Sequence, residues 1–317
     1  MSEALSVSSA RPRWLAQAAG WAVAAALVLL AEWRIDLPGL GAALRGARMG
    51  PFALAVLCNL VANTLARVRR WEALLRPLPH GPRRAGFFDL ARLLYAGYAV
   101  SNLWPARAGE AVRVAGLHRR RGYPVAGLVG VQLAEKVIEA LSLGLLCGLL
   151  ALTAGPGRVP LAAGGALALG GLLLLLALPR RMPSPAIPRG RVAAFLQNLL
   201  GALRTVHARR SWLQSVGWSL LSDTTDLLLV ALCLRALGIE VPPSAWALVL
   251  FSVNLAILLP STPAQVGILE AGAVVALAAA GVPAAPALAF ALAYHAVHLL
   301  PTTVLGLAGF LLPWEHS

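Results

Sequence analysis

Long, nearly unbroken apolar runs decide most of what this chain can fold into. Trp14–Trp33, Pro124–Thr153, Arg158–Leu178, Ser211–Leu237 and Ala285–Leu312 each reach or exceed the ~18 mostly apolar residues of a membrane-crossing helix. A hydrocarbon layer offers no partner to a free backbone N–H or C=O, so such runs must be helical. They are continuous rather than alternating, which excludes a transmembrane barrel. Composition agrees, with 13% charged residues and a mean hydropathy of +0.74, against about 25% charged in soluble domains. The expected fold class is all-α, a polytopic helical membrane protein forming one transmembrane domain over residues 1–317.

Arginine placement sets the expected topology. The chain has 26 arginines and one lysine, Lys136, against 13 acids, a net charge of +14. Cytoplasmic loops collect Arg and Lys. With both termini cytoplasmic, that side receives two basic residues at the N-terminus, six in 67–84, five in 107–121 and seven in 180–210. Twenty then stand against five on the far side: Arg34, Arg45, Arg48, Arg158 and Arg235. The asymmetry holds only if two weaker segments, Gly86–Leu103 and Ser244–Leu259, enter and return on one side. Six full spans and two re-entrant hairpins follow, in two oppositely oriented halves of approximately 1–156 and 157–317. Segment 2 runs from Pro51 to about Ala66, and Arg34–Gly50 reads as interfacial. Arg69–Trp71 reads as an interfacial anchor with snorkelling arginines. Twenty apolar residues after Arg11 and Arg13 are long for a signal peptide, so Trp14–Trp33 is expected to stay as a span.

Both expected hairpins break in similar language. The first reads PARAGE from Pro105 and the second PAQVGILE from Pro263. Each has Pro-Ala, a glycine four residues after the proline (Gly109, Gly267), then a glutamate (Glu110, Glu270). An asparagine precedes each, Asn102 and Asn254. Broken helices at matching positions of two inverted halves point to a transport site. Irregular backbone is tolerated at that depth only around a cavity.

Ionisable groups cluster on the same segments. Arg107 and Arg113 are candidates to grip a phosphate, with Glu110 holding one of them in place; a basic patch on lipid headgroups is the simpler alternative. Glu135, Lys136 and Glu139 lie inside the fourth run, where isolated charges cost at least ~2.5–3.5 kcal/mol each. Their natural partners are Arg107, Arg113 or Lys136 itself. Asp223 and Asp226 repeat the theme, as a proton or cation relay or as a polar packing face with Ser222, Thr224 and Thr225. His295 and His298 read as a packing pair ahead of a proton-linked step. Bundle metal sites use Glu-x-x-His pairs, which are lacking here, so no metal or other cofactor is expected. Cys58, Cys147 and Cys233 read as packed thiols.

Motifs of soluble catalysis are missing: no nucleophile elbow, P-loop, strand-linked GxGxxG or HExxH occurs. The reading leans away from an enzyme. No soluble basic domain is available for nucleic acid.

The runs SNLWPARAGEAVR (101–113), AEKVIEAL (134–141) and LLPSTPAQVGILEAG (258–272) resemble the lysylphosphatidylglycerol synthase transmembrane-region family, also called the flippase-like domain family. By that likeness Asn102, Pro105, Arg107, Gly109, Glu110 and Arg113 fall on the first motif. Glu135, Lys136 and Glu139 fall on the second, and Pro260, Pro263, Gly267 and Glu270 on the third. The family usually has glycines where this chain has Ala264 and Gln265, which puts close backbone approach at the second break in doubt. The resemblance implies handling of polar lipids in a bacterial or archaeal cell membrane. Some members carry a cytoplasmic domain that transfers lysine to phosphatidylglycerol; this chain, ending at WEHS, is expected to lack it. The expected function is translocation or binding of an anionic or phosphate-bearing lipid in the inner membrane. The alternative is a subunit of a lipid-modifying or lipid-linked glycosylation system, working with a separately encoded cytoplasmic enzyme.

Overall fold

The computed structural model describes residues 37–104, 108–152, 162–167, 169, 209–257 and 263–311. The run Trp14–Trp33, the link 179–208, most of Arg158–Leu178, and Pro105, Arg107 and Pro260 lie outside them. All regular structure among the described residues is helical.

Helix α1, Leu37–Arg45, occupies the stretch expected to be interfacial. Helix α2 runs from Met49 to Leu75, with one wider π-helical turn at Asn59–Asn63. Its polar stripe (Asn59, Asn63, Arg67 and Arg70) recurs at spacings of three to four and points into the protein. The sequence expectation ended this segment near Ala66 and placed Arg67–Arg84 in a cytoplasmic loop. Instead the helix continues because Arg67 and Arg70 find carboxylates inside the bundle and need no water. Trp71 is likewise no interfacial anchor, being only 2% exposed.

Four further helices are short. They are α3 (Phe87–Leu103, 17 residues), α4 (Ala108–Arg121, 14), α7 (Pro243–Ile257, 15) and α8 (Ile268–Ala279, 12). At 1.5 Å per residue they reach about 18–26 Å, less than the ~30 Å of a hydrocarbon core. They pair as two hairpins, α3 with α4 and α7 with α8. The long helices α5 (Val125–Ala151), α6 (Arg209–Ala236) and α9 (Ala284–Leu311) have 27 or 28 residues each, about 40 Å. Met49–Leu75, Ser211–Ala236 and Ala284–Phe310 are long and apolar enough to cross a membrane. Leu54, Leu57, Val61, Leu228, Val304 and Leu307 are exposed on these three.

Helix starts follow local chemistry. The Asp89 carboxylate accepts the Gly86 N–H at 3.1 Å at the head of α3, and Glu270 accepts the Gly267 N–H at 2.7 Å at the head of α8. Each places an acid where unpaired donors and the helix dipole favour it. Asp89 also accepts Arg121 Nη2 at 2.6 Å, which ties the open ends of the first hairpin together. Small residues let the legs approach. A Cβ on Gly109 would run into the Gly97 carbonyl, and one on Gly272 would sit 3.0 Å from the Ser252 carbonyl oxygen.

Among the described residues two large hydrophobic cores form, beside a small cluster of Cys147, Ala151 and Ala247. One joins Trp71 and Leu74 of α2 to Leu90 and Leu94 of α3, Leu117 of α4 and Leu128 and Ile138 of α5. The other joins Leu229 and Leu234 of α6 to Val249 of α7, Leu277 of α8 and Phe290 and Tyr294 of α9. Contacts cross between them: α9 lies along α3, α5 touches α7, and α6 packs against α2.

Candidate functional site

A cavity of about 840 Å³ lies between the hairpins. Ser101, Asn102, Trp104, Gly109 and Glu110 line it from the first hairpin, and Asn254, Ala264, Gln265 and Leu269 from the second. Helix α3 packs directly against the Pro263–Gln265 turn, so the second break adjoins the first hairpin. Leu143, Leu167, Phe251, Leu255 and Ile257 make an apolar wall.

One polar wall is built around Glu135, which is 3% exposed. Its two oxygens accept Arg70 Nη2 and Arg113 Nη2, both at 2.8 Å. Arg70 also reaches Glu139 at 2.5 Å and Ser219 Oγ at 3.1 Å, and the other Glu139 oxygen accepts Lys136 Nζ at 3.0 Å. Glu135 and Glu139 are one helical turn apart, so a single face of α5 presents both. The Arg113 guanidinium lies 4.1 Å from the Trp71 ring centre. Removing Glu135 would strand the buried Arg113, the arrangement that costs most in a low-dielectric interior.

These contacts bear on the first motif. Arg113 is held by Glu135 and Trp71, while Arg107, the other arginine that Glu110 was expected to hold, lies outside the described residues. Glu110 lines the cavity and has no side-chain partner among the described residues. Arg113 and Lys136 are partners of the α5 acids as expected. Arg70 is the partner the sequence reading missed.

A second polar wall joins α2, α6 and α9. Asp226 accepts Asn63 Nδ2 at 2.7 Å and Arg67 Nη2 at 3.2 Å, and His298 Nε2 lies 3.4 Å away. Arg67 also donates to Asn63 Oδ1 and to the Tyr98 hydroxyl, both at 2.8 Å. Asp223 accepts Ser142 Oγ of α5 at 2.5 Å. Thr224 and Thr225 instead donate to carbonyls of their own helix.

The second hairpin is held differently. Glu270 caps α8 and meets His295 Nδ1 of α9 at 2.5 Å. His295 and His298 therefore do not pair with each other, as a packing pair would. They lie on one face of α9, and each reaches a carboxylate on another helix, Glu270 of α8 for His295 and Asp226 of α6 for His298. Before α8, Ala264 (φ 54°), Gln265 (φ 63°) and Gly267 (φ 84°) all adopt left-handed backbone. Two of these lack the glycine that such a conformation favours. Ala264 and Gln265 nevertheless lie on the cavity wall. The two asparagines also differ: Asn102 donates to Thr303 Oγ1 at 2.8 Å, whereas Asn254 donates to Leu250 O of its own helix.

Of the residues singled out in the sequence, Asn102, Gly109, Glu110, Arg113, Lys136, Glu139, Asp223 and Asp226 share the cavity wall. Glu135 lies behind it. Glu270 reaches it through His295, and Gly267 starts the helix that carries Glu270. Pro263 opens the turn before α8. Pro105 and Arg107 lie outside the described residues. Asn59, Arg67, Arg70, Tyr95 and Tyr98 join the wall without having been singled out. Polar residues at helical spacing through an apolar segment were the available signal. Among the described residues, no three His, Cys, Asp or Glu side chains gather to hold a metal ion.

No curated protein matches the sequence. Residues 17–306 match the model of the lysylphosphatidylglycerol synthase TM region, and the chain belongs to that family.

Proposed function

We propose that this family member moves a polar lipid across the inner membrane by passing its headgroup through the cavity between the two hairpins. The carrying observation is that residues of both hairpins, Trp104 and Gly109 of the first and Ala264 and Gln265 of the second, line one cavity whose wall carries both ionisable and apolar side chains. A headgroup needs the first kind of side chain and acyl chains the second. In this reading the lipid bears a phosphate, met by Arg107 of the motif and by Lys136, whose side chain is 48% exposed. Glu110, Asp223 and Asp226 line its route. Arg70 and Arg113 share the cavity wall, and Glu135 behind them holds both in place as the frame.

The same reading keeps six full spans, both termini cytoplasmic, and inverted halves of approximately 1–156 and 157–317. The crossed packing supports it: the last helix, α9, lies on the first hairpin, and α5 of the first half touches the second. A second reading is a membrane subunit without transport of its own that recruits a cytoplasmic lipid-modifying enzyme. Exposed Arg83, Arg84, Arg119 and Arg120 favour it, since they form a basic surface on one side of α3 and α4.

The test is leaflet exchange. The full chain is reconstituted in phosphatidylethanolamine/phosphatidylglycerol vesicles with fluorescent phosphatidylglycerol and phosphatidylethanolamine probes. Exchange should exceed that of empty vesicles and fall about tenfold, the equivalent of ~1.4 kcal/mol, in Lys136→Ala and in the cavity-filling Ser101→Trp. Exchange no faster than in empty vesicles for both probes would contradict the proposal. A chemically modified lipid formed by the protein alone would replace it with an enzymatic reading.

A further inference from the structure

We propose that His298 and Asp226 form a proton-binding site in the cavity wall, and that lipid movement is coupled to proton uptake there. The inference rests on the lipid-moving reading above and adds its driving ion. Hydrogen-bond bookkeeping at the His298 ring carries it. Nδ1 lies 3.0 Å from the Tyr294 carbonyl oxygen, and Nε2 lies 3.4 Å from Asp226 Oδ1. Both neighbours are acceptors. A neutral imidazole has one N–H and one lone pair, so it satisfies one neighbour and sets a lone pair against the other. One added proton completes both contacts.

The site is reachable. The His298 side chain is 25% exposed and lines the cavity, and Asp226 is 12% exposed beside it. A proton arriving through cavity water binds Nε2, which then donates to Asp226; release reverses the step and no other bond changes. The Tyr294 ring, 4.6 Å from the imidazole between centroids, limits its sideways movement.

The surroundings give the proton leverage. From α6, Asp226 faces His298; Asp223 on the same helix turns to Ser142. From α2, Arg67 shares Asp226, with Asn59 and Asn63 beside it. From α3, Tyr98 binds Arg67 and Tyr95 binds Thr64, while Arg92 reaches the Gly309 carbonyl near the far end of α9. From α8, Glu270 is engaged by His295, one turn before His298. From α1, Arg45 turns back to its own helix at Gly41. One face of α9 therefore touches the carboxylate that holds the α2 arginine and the carboxylate that caps the second leg of the second hairpin. Protonation adds an attraction between α9 and α6; with the hydrogen kept on Nδ1 at its shorter contact to the Tyr294 carbonyl, deprotonation sets two lone pairs against each other at Asp226 and frees α9, with the hairpin it holds, to shift.

Two measurements on the full chain decide this. The first is histidine ring ¹⁵N NMR in lipid nanodiscs at pH 7. The expected spectrum has a ring with hydrogen on both nitrogens that disappears in His298→Gln and regains a bare nitrogen in Asp226→Asn. A His298 ring with a bare nitrogen in the wild type, or one indifferent to Asp226→Asn, overturns the site. The second imposes one pH unit across the probe-loaded vesicles used above. With one proton coupled per lipid, the leaflet distribution should shift by up to about tenfold in the wild type, beyond that of empty vesicles, and should not shift in His298→Gln. Exchange that proceeds with no shift rejects the coupling and leaves lipid movement standing. Absence of exchange rejects lipid movement and the coupling with it, while the NMR result still decides the proton site.

Discussion

The two hairpins begin from similar sequence and are secured by different physics. The first is locked from outside and from within. Arg113 on its second leg is clamped by Glu135 and Trp71, Asn102 on its first leg is tied to α9, and its legs meet at Gly97 and Gly109. The second has left-handed backbone at Ala264 and Gln265, and its described ionic tie is Glu270 with His295. In each, the second leg is ion-paired to the long helix that follows it. The first puts the cation on the hairpin and the anion on the span. The second puts the carboxylate on the hairpin and an imidazole on the long helix. Walls of different chemistry can thus be built from one motif.

Substitutions test this contrast. Glu135→Ala should be the most damaging, stranding Arg113 and leaving Arg70 to Glu139 alone, at a cost of about 3–5 kcal/mol, read as lost denaturant resistance of the solubilised protein. Gly109→Ala should follow, because the new methyl meets backbone rather than a side chain; about 1–3 kcal/mol is expected. Glu270→Ala should cost only about 1 kcal/mol, through a lost helix cap and a lost contact with His295. Were Glu270→Ala as damaging as Glu135→Ala, the second hairpin would be locked like the first. Gln265→Gly should be the smallest effect and of opposite sign, a gain of up to about 1 kcal/mol, since glycine adopts φ 63° without the side-chain clash. Destabilisation there would mean that the Gln265 side chain, not its backbone, holds the turn.

The hairpins were legible in the sequence because proline, glycine and flanking charge report directly on where a helix must stop. Glu135 and Glu139 were legible as a pair because helical spacing puts them on one face. Arg70 was not, since an arginine after an apolar run looks the same whether it meets water or a carboxylate on another helix. The difference lies in Glu135, 65 residues further on. Nor do Ala264 and Gln265 advertise left-handed backbone, as neither residue favours it; the conformation is imposed by the turn they share with Gly267. The partners of His295 and His298 likewise depend on how α9 is rotated against α6 and α8, which packing alone decides.

The most direct test of the shared cavity joins its two breaks. Trp104→Cys and Gln265→Cys, with Cys58, Cys147 and Cys233 replaced by serine, are bridged by a reductant-cleavable bis-thiol reagent in the reconstituted protein. Lipid exchange should stop when the bridge forms and return when it is cleaved. Exchange that continues unchanged across a fully bridged protein would contradict passage between the hairpins.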